Sequence, residues 1–193
     1  PFPVTVKTRL GWDENSKYIV EVSERLQDVG IKAISIHGRT RKQMYKGEAN
    51  WELIRDVKNN QRMKIPVFGN GDVDCPKMAK EKKEKYNVDG IMIGRGAIGN
   101  PWIFKKIKKY LQNGLIANEP SVKERIEAVL KHLDLSIKWK GEKLGILEMR
   151  RHYTNYFREL PEIKKYRSEL VQIDKYEELI TTINQISKKY ANF

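Results

Sequence analysis

Short apolar runs alternate along the first hundred residues with stretches in which apolar side chains recur every three or four positions. The first run, in "PVTVKTRL", is β-branched and predicts a strand over residues 4–7. Ile19, Val20, Val22, Leu26 and Val29 then keep helical spacing, with Asn15 or Ser16 as cap and Gly30 as stop. "IKAISIHG" predicts a second strand over about Ala33–His37. After a polar loop, Asn50 is placed to cap a helix carrying Trp51, Leu53, Ile54 and Val57. A third strand is expected over residues 66–69, with Asp74 capping the helix that follows, and a fourth over residues 90–93. Strands and helices alternating at this spacing predict parallel βαβ units. Runs so continuously apolar suit a sheet covered on both faces.

Beyond residue 100 the strand pattern stops. Asn100 and Pro101 read as a cap and a first-turn proline ahead of Trp102, Ile103, Phe104, Ile107, Tyr110 and Leu111. "SVKE" at 121–124 fits a capping box, with Ile126, Val129, Leu130, Leu133 and Ile137 on one face behind it. Further helices are expected over 142–158 and over 175–190, the latter opened by Asp174 with Glu177 three residues on. A boundary is placed in "LQNGLIANEPS", giving an α/β domain over 1–114 and a small all-helical domain over 115–193. The chain starts at Pro1 on what is already nearly a strand, so a piece of something longer is expected.

Four strand–helix units form either a small open sheet or half of an eightfold barrel. An open dinucleotide-binding sheet carries G-x-G-x-x-G after its first strand, and "KTRLGWDENS" lacks it. Two strands instead end in glycine-flanked polar turns, "VFGNGDVDCP" and "GIMIGRGAIGNPW". Glycines let backbone N–H groups approach an anion, and Arg95 adds a bidentate donor. Barrels of this kind often bind phosphate on the loops after their last two strands, which favours the second half of a TIM (β/α)8 barrel. On that reading Lys7 and Arg9, His37 and Arg39, residues 70–72 and residues 94–96 converge on one face. Taken singly, the glycines are also ordinary turn residues, Lys7 a rim lysine and His37 a satisfied core histidine.

Charge adds a partner class. The sequence holds 38 Lys and Arg against 25 Asp and Glu, a formal net charge of +13. This favours a polyanion, the alternative being a lysine-rich surface kept for solubility. Arg150, Arg151, Arg158, Lys164, Lys165 and Arg167 surround Tyr153, Tyr156 and Phe157, which either stack on bases or form a core beneath a charged face. A single cysteine, Cys75, excludes an internal disulfide, and three scattered histidines make a metal site unexpected. No run approaches the ~18 apolar residues of a membrane span.

In combination, "VTVKTRLGWD", "ISIHGRTRKQMYKGEANW", "VFGNGDV" and "GIMIGRGAIGNPWIF" resemble the second half of bacterial tRNA-dihydrouridine synthases of the DusB type. "MRRHYTNYFRELP" is similar to the tRNA-facing helical domain of the same enzymes. The resemblance implies a flavoprotein that reduces the C5–C6 double bond of uridines in tRNA, with FMN as cofactor and NADPH as hydride donor. It implies that Lys7 and His37 lie beside the flavin ring, that Asn70, Gly71 and Asp72 form one phosphate-side loop, and that Gly94 and Arg95 form the other. Arg39, Arg41 and Lys42 are expected at the active mouth, within reach of flavin or RNA, and Arg150 and Arg151 on the RNA surface. The family's proton-donating cysteine matches no residue here. It is expected upstream, Cys75 is not its counterpart, and the chain alone is not expected to close a barrel or turn over. A cytoplasmic monomer is expected. Two other readings stay open: a different FMN-dependent barrel acting on a small substrate, and a module that only binds RNA.

Overall fold

The computed structural model describes residues 2–191. They fall into two compact units. One holds the residues up to Ala97 together with Ile103–Ile116; the other holds Ile98–Trp102 and the residues from Ala117 onward. The helical unit thus takes in a short segment well before residue 114, instead of starting once near that point.

The first unit is α/β. Strands β1 (Thr5–Arg9), β2 (Ala33–His37), β3 (Val67–Asn70) and β4 (Gly90–Met92) form one parallel sheet in the order β1-β2-β3-β4. Helices α1 (Ile19–Asp28), α2 (Glu52–Asn59) and α3 (Pro76–Tyr86) connect them, and α4 (Ile103–Asn113) follows β4. Right-handed crossovers between strands in sequential order place every connecting helix on the same side. Ile34, Ile36 and Val67 point to that side and are fully buried with Ile54, Val57 and Ala79. The opposite face carries Lys7, Ser35 and Phe68 in register, and next to them Arg9, His37, Asn70 and Met92. Lys7 is exposed there, and Ser35, Phe68 and Met92 are half-buried. The expectation that both faces are covered is therefore met on the helix side only.

Several helix starts differ from the sequence reading. Asn15 and Ser16 belong to a single 3-10 turn, Glu14–Ser16, that Asp13 caps; α1 begins later, behind Tyr18. Cys75, not Asp74, precedes α3, with Pro76 opening the helix. Trp51 takes the N-cap position of α2, while the Asn50 side chain accepts the Glu52 N–H at 2.9 Å.

The second unit is helical: α5 (Val122–Lys140), α6 (Glu142–Tyr156), α7 (Lys164–Leu170) and α8 (Tyr176–Lys189). The capping box forms as the sequence predicts. Ser121 Oγ accepts the Glu124 N–H at 3.3 Å, and Glu124 accepts the Ser121 N–H at 2.8 Å. Val129, Leu133, Met149, Tyr153, Phe157, Leu179 and Ile183 make the core. Ile98–Trp102 is tied to α6: Asn155 Nδ2 donates to the Ile98 carbonyl at 2.6 Å, and the Gly99 N–H donates to His152 Nδ1 at 3.0 Å.

Candidate functional site

The carboxyl ends of β2, β3 and β4 meet in one hydrogen-bonded cluster. His37 pairs with Asn70, and Asn70 with Met92. The register brings the residues two positions past the first pair, Arg39 and Asp72, side by side. Arg39 Nη1 and Nη2 each donate to one Asp72 oxygen at 2.7 Å. Its Nε reaches the Lys46 carbonyl at 3.4 Å, and Nη2 also meets the Gly47 carbonyl. Asp72 takes two further donors, the Ala49 N–H at 2.7 Å and Arg95 Nη2 at 2.9 Å. Each carboxylate oxygen thus accepts from two groups. Across the strands, Asn70 Nδ2 donates to the Met92 carbonyl at 2.7 Å. The two glycine-flanked loops are neighbours.

Backbone shape explains the residues between. Gly71 has φ 130°, and a Cβ there would lie 2.5 Å from the Ala49 Cβ and 3.2 Å from the His37 ring. Asp72 follows at φ 54°, a left-handed value that Asp tolerates better than most residues. Trp51, almost fully buried, supports the turn from below with its Nε1–H on the Gly71 carbonyl at 3.1 Å.

Burial alone pushes the Asp72 carboxyl up, but the Arg39 hydrogen bonds, the Ala49 N–H and the Arg39 and Arg95 charges hold it below the usual carboxylate range. His37 goes the same way for other reasons. Burial, then the positive charges of Arg9, Lys7 and Arg39, lower it to about 4. At neutral pH it is an uncharged imidazole, one nitrogen a donor and the other an acceptor.

Arg39 was expected as a cation at the mouth; the structure places it inside, 2% exposed, as the clamp on Asp72. Lys42 is exposed and paired with Asp13 at 2.9 Å. Arg41 stands over the Trp12 ring at 6.0 Å. The sequence reading gave no role to Tyr45, whose exposed ring lies 4.7 Å from the Arg95 guanidinium carbon and 5.9 Å from that of Arg9. Arg9 also donates to the Thr40 and Met44 carbonyls at 2.8 and 3.1 Å. No spacing rule in the sequence announces these contacts, because each joins a strand end to a loop more than thirty residues away.

In the helical unit the aromatics are core: Tyr153, Tyr156 and Phe157 are all buried. Burial pushes the Tyr153 phenol well up, and its oxygen and Arg150 Nε are enclosed without a hydrogen-bond partner. Arg150 is half-buried and reaches the Ile173 carbonyl at 3.4 Å, so the structure anchors it to its own unit. Arg151 is exposed, with Nε 3.3 Å from His152 Nε2. His132 and His152 meet edge to face at 4.6 Å. Burial first, then His132 and Arg151, push His152 down to about 4.

Residues 1–191 match the sequence model of the family described as dihydrouridine synthase. The chain belongs to the dihydrouridine synthase family. It is 41% identical over 165 residues to a probable tRNA-dihydrouridine synthase of Rickettsia conorii, covering 86% of this chain and 49% of that protein. It is 41% identical over 172 residues to tRNA-dihydrouridine synthase B of Vibrio parahaemolyticus, covering 89% of this chain and 53% of the relative. The corresponding figures for tRNA-dihydrouridine synthase B of Pseudomonas aeruginosa are 35% over 190 residues, 98% and 57%. The chain spans about half the length of these curated relatives. Among the described residues of this dihydrouridine synthase family chain, no helix is long and apolar enough to cross a membrane. No three of their His, Cys, Asp or Glu side chains are grouped to hold a metal ion.

Proposed function

We propose that the α/β unit of this chain is the second half of an FMN-binding (β/α)8 barrel and that its helical unit is a tRNA-binding domain. The protein carrying it reduces uridine in tRNA to 5,6-dihydrouridine, as a cytoplasmic monomer. The observation that carries the cofactor reading is the meeting of the 70–72 and 94–96 loops at the carboxyl ends of adjacent parallel strands. Sequential strand order, with helices on one side and Lys7 on the open face, supports a barrel wall over a doubly wound sheet.

The residues present fit a flavin mononucleotide. A Cβ built at Gly94 comes no nearer to a neighbour than 3.9 Å, at the Asn70 amide, so a ligand group has room there. Around it Arg39 and Arg95 outnumber Asp72 by one positive charge, which suits a phosphate. Gly94, Arg95 and the Asn70–Gly71–Asp72 turn would hold the phosphate end; Lys7 and His37 would flank the ring. When bound, FMN supplies the hydride-transfer chemistry, with NADPH as the source of hydride. Lys7 provides a fixed positive charge on the open sheet face, favouring an electron-rich ring beside it. His37, uncharged at neutral pH, can donate one hydrogen bond without adding charge.

We assign no proton donor within this chain; that role falls to a cysteine outside it. For RNA the reading rests on the exposed Arg151 and Lys42, with Arg39 and Arg150 holding their own chain segments. Purified protein should take up FMN, read by flavin absorbance, and bind tRNA in a salt-dependent way. Flavin uptake with no tRNA affinity would point to a small substrate instead, and tRNA binding without flavin to an RNA-binding module.

A further inference from the structure

Loop 40–47 gathers arginines from three strand ends. Its Thr40 and Met44 carbonyls hold Arg9 of β1, its Lys46 and Gly47 carbonyls hold Arg39 beyond β2, and its Tyr45 ring lies against Arg95 beyond β4. Asp72 closes the circuit by binding Arg39 and Arg95 at once. We infer that Arg39 is a positioning residue for phosphate selectivity: through Asp72 it sets Arg95 beside the glycine-flanked loops, and Tyr45 braces Arg95 from a second direction. The inference rests on the FMN reading above.

A bare carboxylate at position 72 would repel a phosphate bound at these loops. Arg39 cancels that charge and leaves Asp72 as an anchor for Arg95. A buried ion pair is a poor way to stabilise a fold, since an apolar pair of similar volume often does as well. The geometry demands a planar fork, because Arg39 serves both carboxylate oxygens and two loop carbonyls together, which an ammonium cannot reproduce.

The test compares FMN with riboflavin, which carries the same ring without the phosphate. Affinity is measured by flavin fluorescence on the protein and on Arg39→Lys, Asp72→Asn and Tyr45→Phe, with melting temperature alongside. The unaltered protein should prefer FMN. In Arg39→Lys and Asp72→Asn, FMN affinity should fall at least about tenfold while riboflavin affinity holds, the loss expected of one oriented charge-assisted contact. Tyr45→Phe keeps the ring and should retain the preference. Equal loss of both flavins with a lowered melting temperature would make Arg39 structural and overturn the inference. If Arg39→Lys does not fold, Asp72→Asn decides, since it keeps the volume and an acceptor for the Ala49 N–H. An unaltered FMN preference in Arg39→Lys and Asp72→Asn overturns the inference and leaves the FMN reading standing. No preference for FMN in the unaltered protein removes both.

Discussion

The Arg39 guanidinium meets both carboxylate oxygens of Asp72 at 2.7 Å, two residues past the point where β2 and β3 last pair. Parallel register alone brings them together, although 33 positions separate them in the chain. Acid should undo the pair. The folded-state pKa of Asp72 lies below its ordinary 3.8, so the carboxylate stabilises the fold fully above about pH 4 and loses that contribution as pH falls through the folded value. Urea midpoints measured below about pH 4 should therefore depend less on pH in Asp72→Asn. Identical acid sensitivity in both proteins would show that the clamp contributes nothing.

His37 acts over a higher window. Its pKa is lowered from 6.5 to about 4 on folding, so between those values the unfolded chain takes up a proton that the folded chain refuses. Stability should decline as pH drops from about 6.5 toward 4, by roughly 3 kcal/mol for this group. His37→Gln should remove that share, read as a flatter plot of unfolding free energy against pH. His152, also lowered to about 4, sustains a similar slope of its own, which the substitution leaves in place. An unchanged slope in His37→Gln would mean the imidazole is hydrated in the folded protein.

Glycine positions separate two kinds of cost. Gly99 has φ 60°, and a Cβ there would meet the His152 carbonyl oxygen at 2.3 Å; Gly47 has nearly the same φ, 61°, with nothing nearer than 3.6 Å. Gly47→Ala should cost about 1 kcal/mol, for the left-handed backbone alone. Gly99→Ala should cost several times more, because backbone must move. Equal losses in thermal melts would contradict the packing of Ile98–Trp102 on α6.

Strand identity was legible because β-branched runs survive in sequence, and Ala33–His37 coincides with its observed bounds. β1 was shifted: it runs to Arg9 where the apolar run ends sooner, since its open-face side chains, Lys7 and Arg9, break the apolar pattern that marks a strand. α7 leaves no periodic apolar signal in the sequence, because it is seven residues long and buries only Leu170. The glycine-flanked loops could be read from composition, whereas the inward turn of Arg39 could not. Its polarity suggests a surface, and only the β2–β3 register supplies Asp72 as partner.

The two neighbouring arginines of α6 should behave differently. Arg151→Ala should flatten the slope of log tRNA affinity against log salt by about 1, with little change in melting temperature. Arg150→Ala should lower the melting temperature and leave the salt slope alone, given its half-buried side chain and its contact with the Ile173 carbonyl. A reversed outcome would move the RNA surface to the other side of the helix.

The proposed chemistry is tested most directly by incubating the protein that carries this chain with FMN, NADPH and unmodified tRNA, and quantifying dihydrouridine by mass spectrometry. Dihydrouridine should accumulate, and Lys7→Ala should lower its rate of formation at least about tenfold at an unchanged melting temperature. Protein that binds FMN and tRNA yet forms no dihydrouridine above the enzyme-free control would contradict the proposed reaction. Full activity in Lys7→Ala would contradict the placement of the flavin ring on the open face of the sheet.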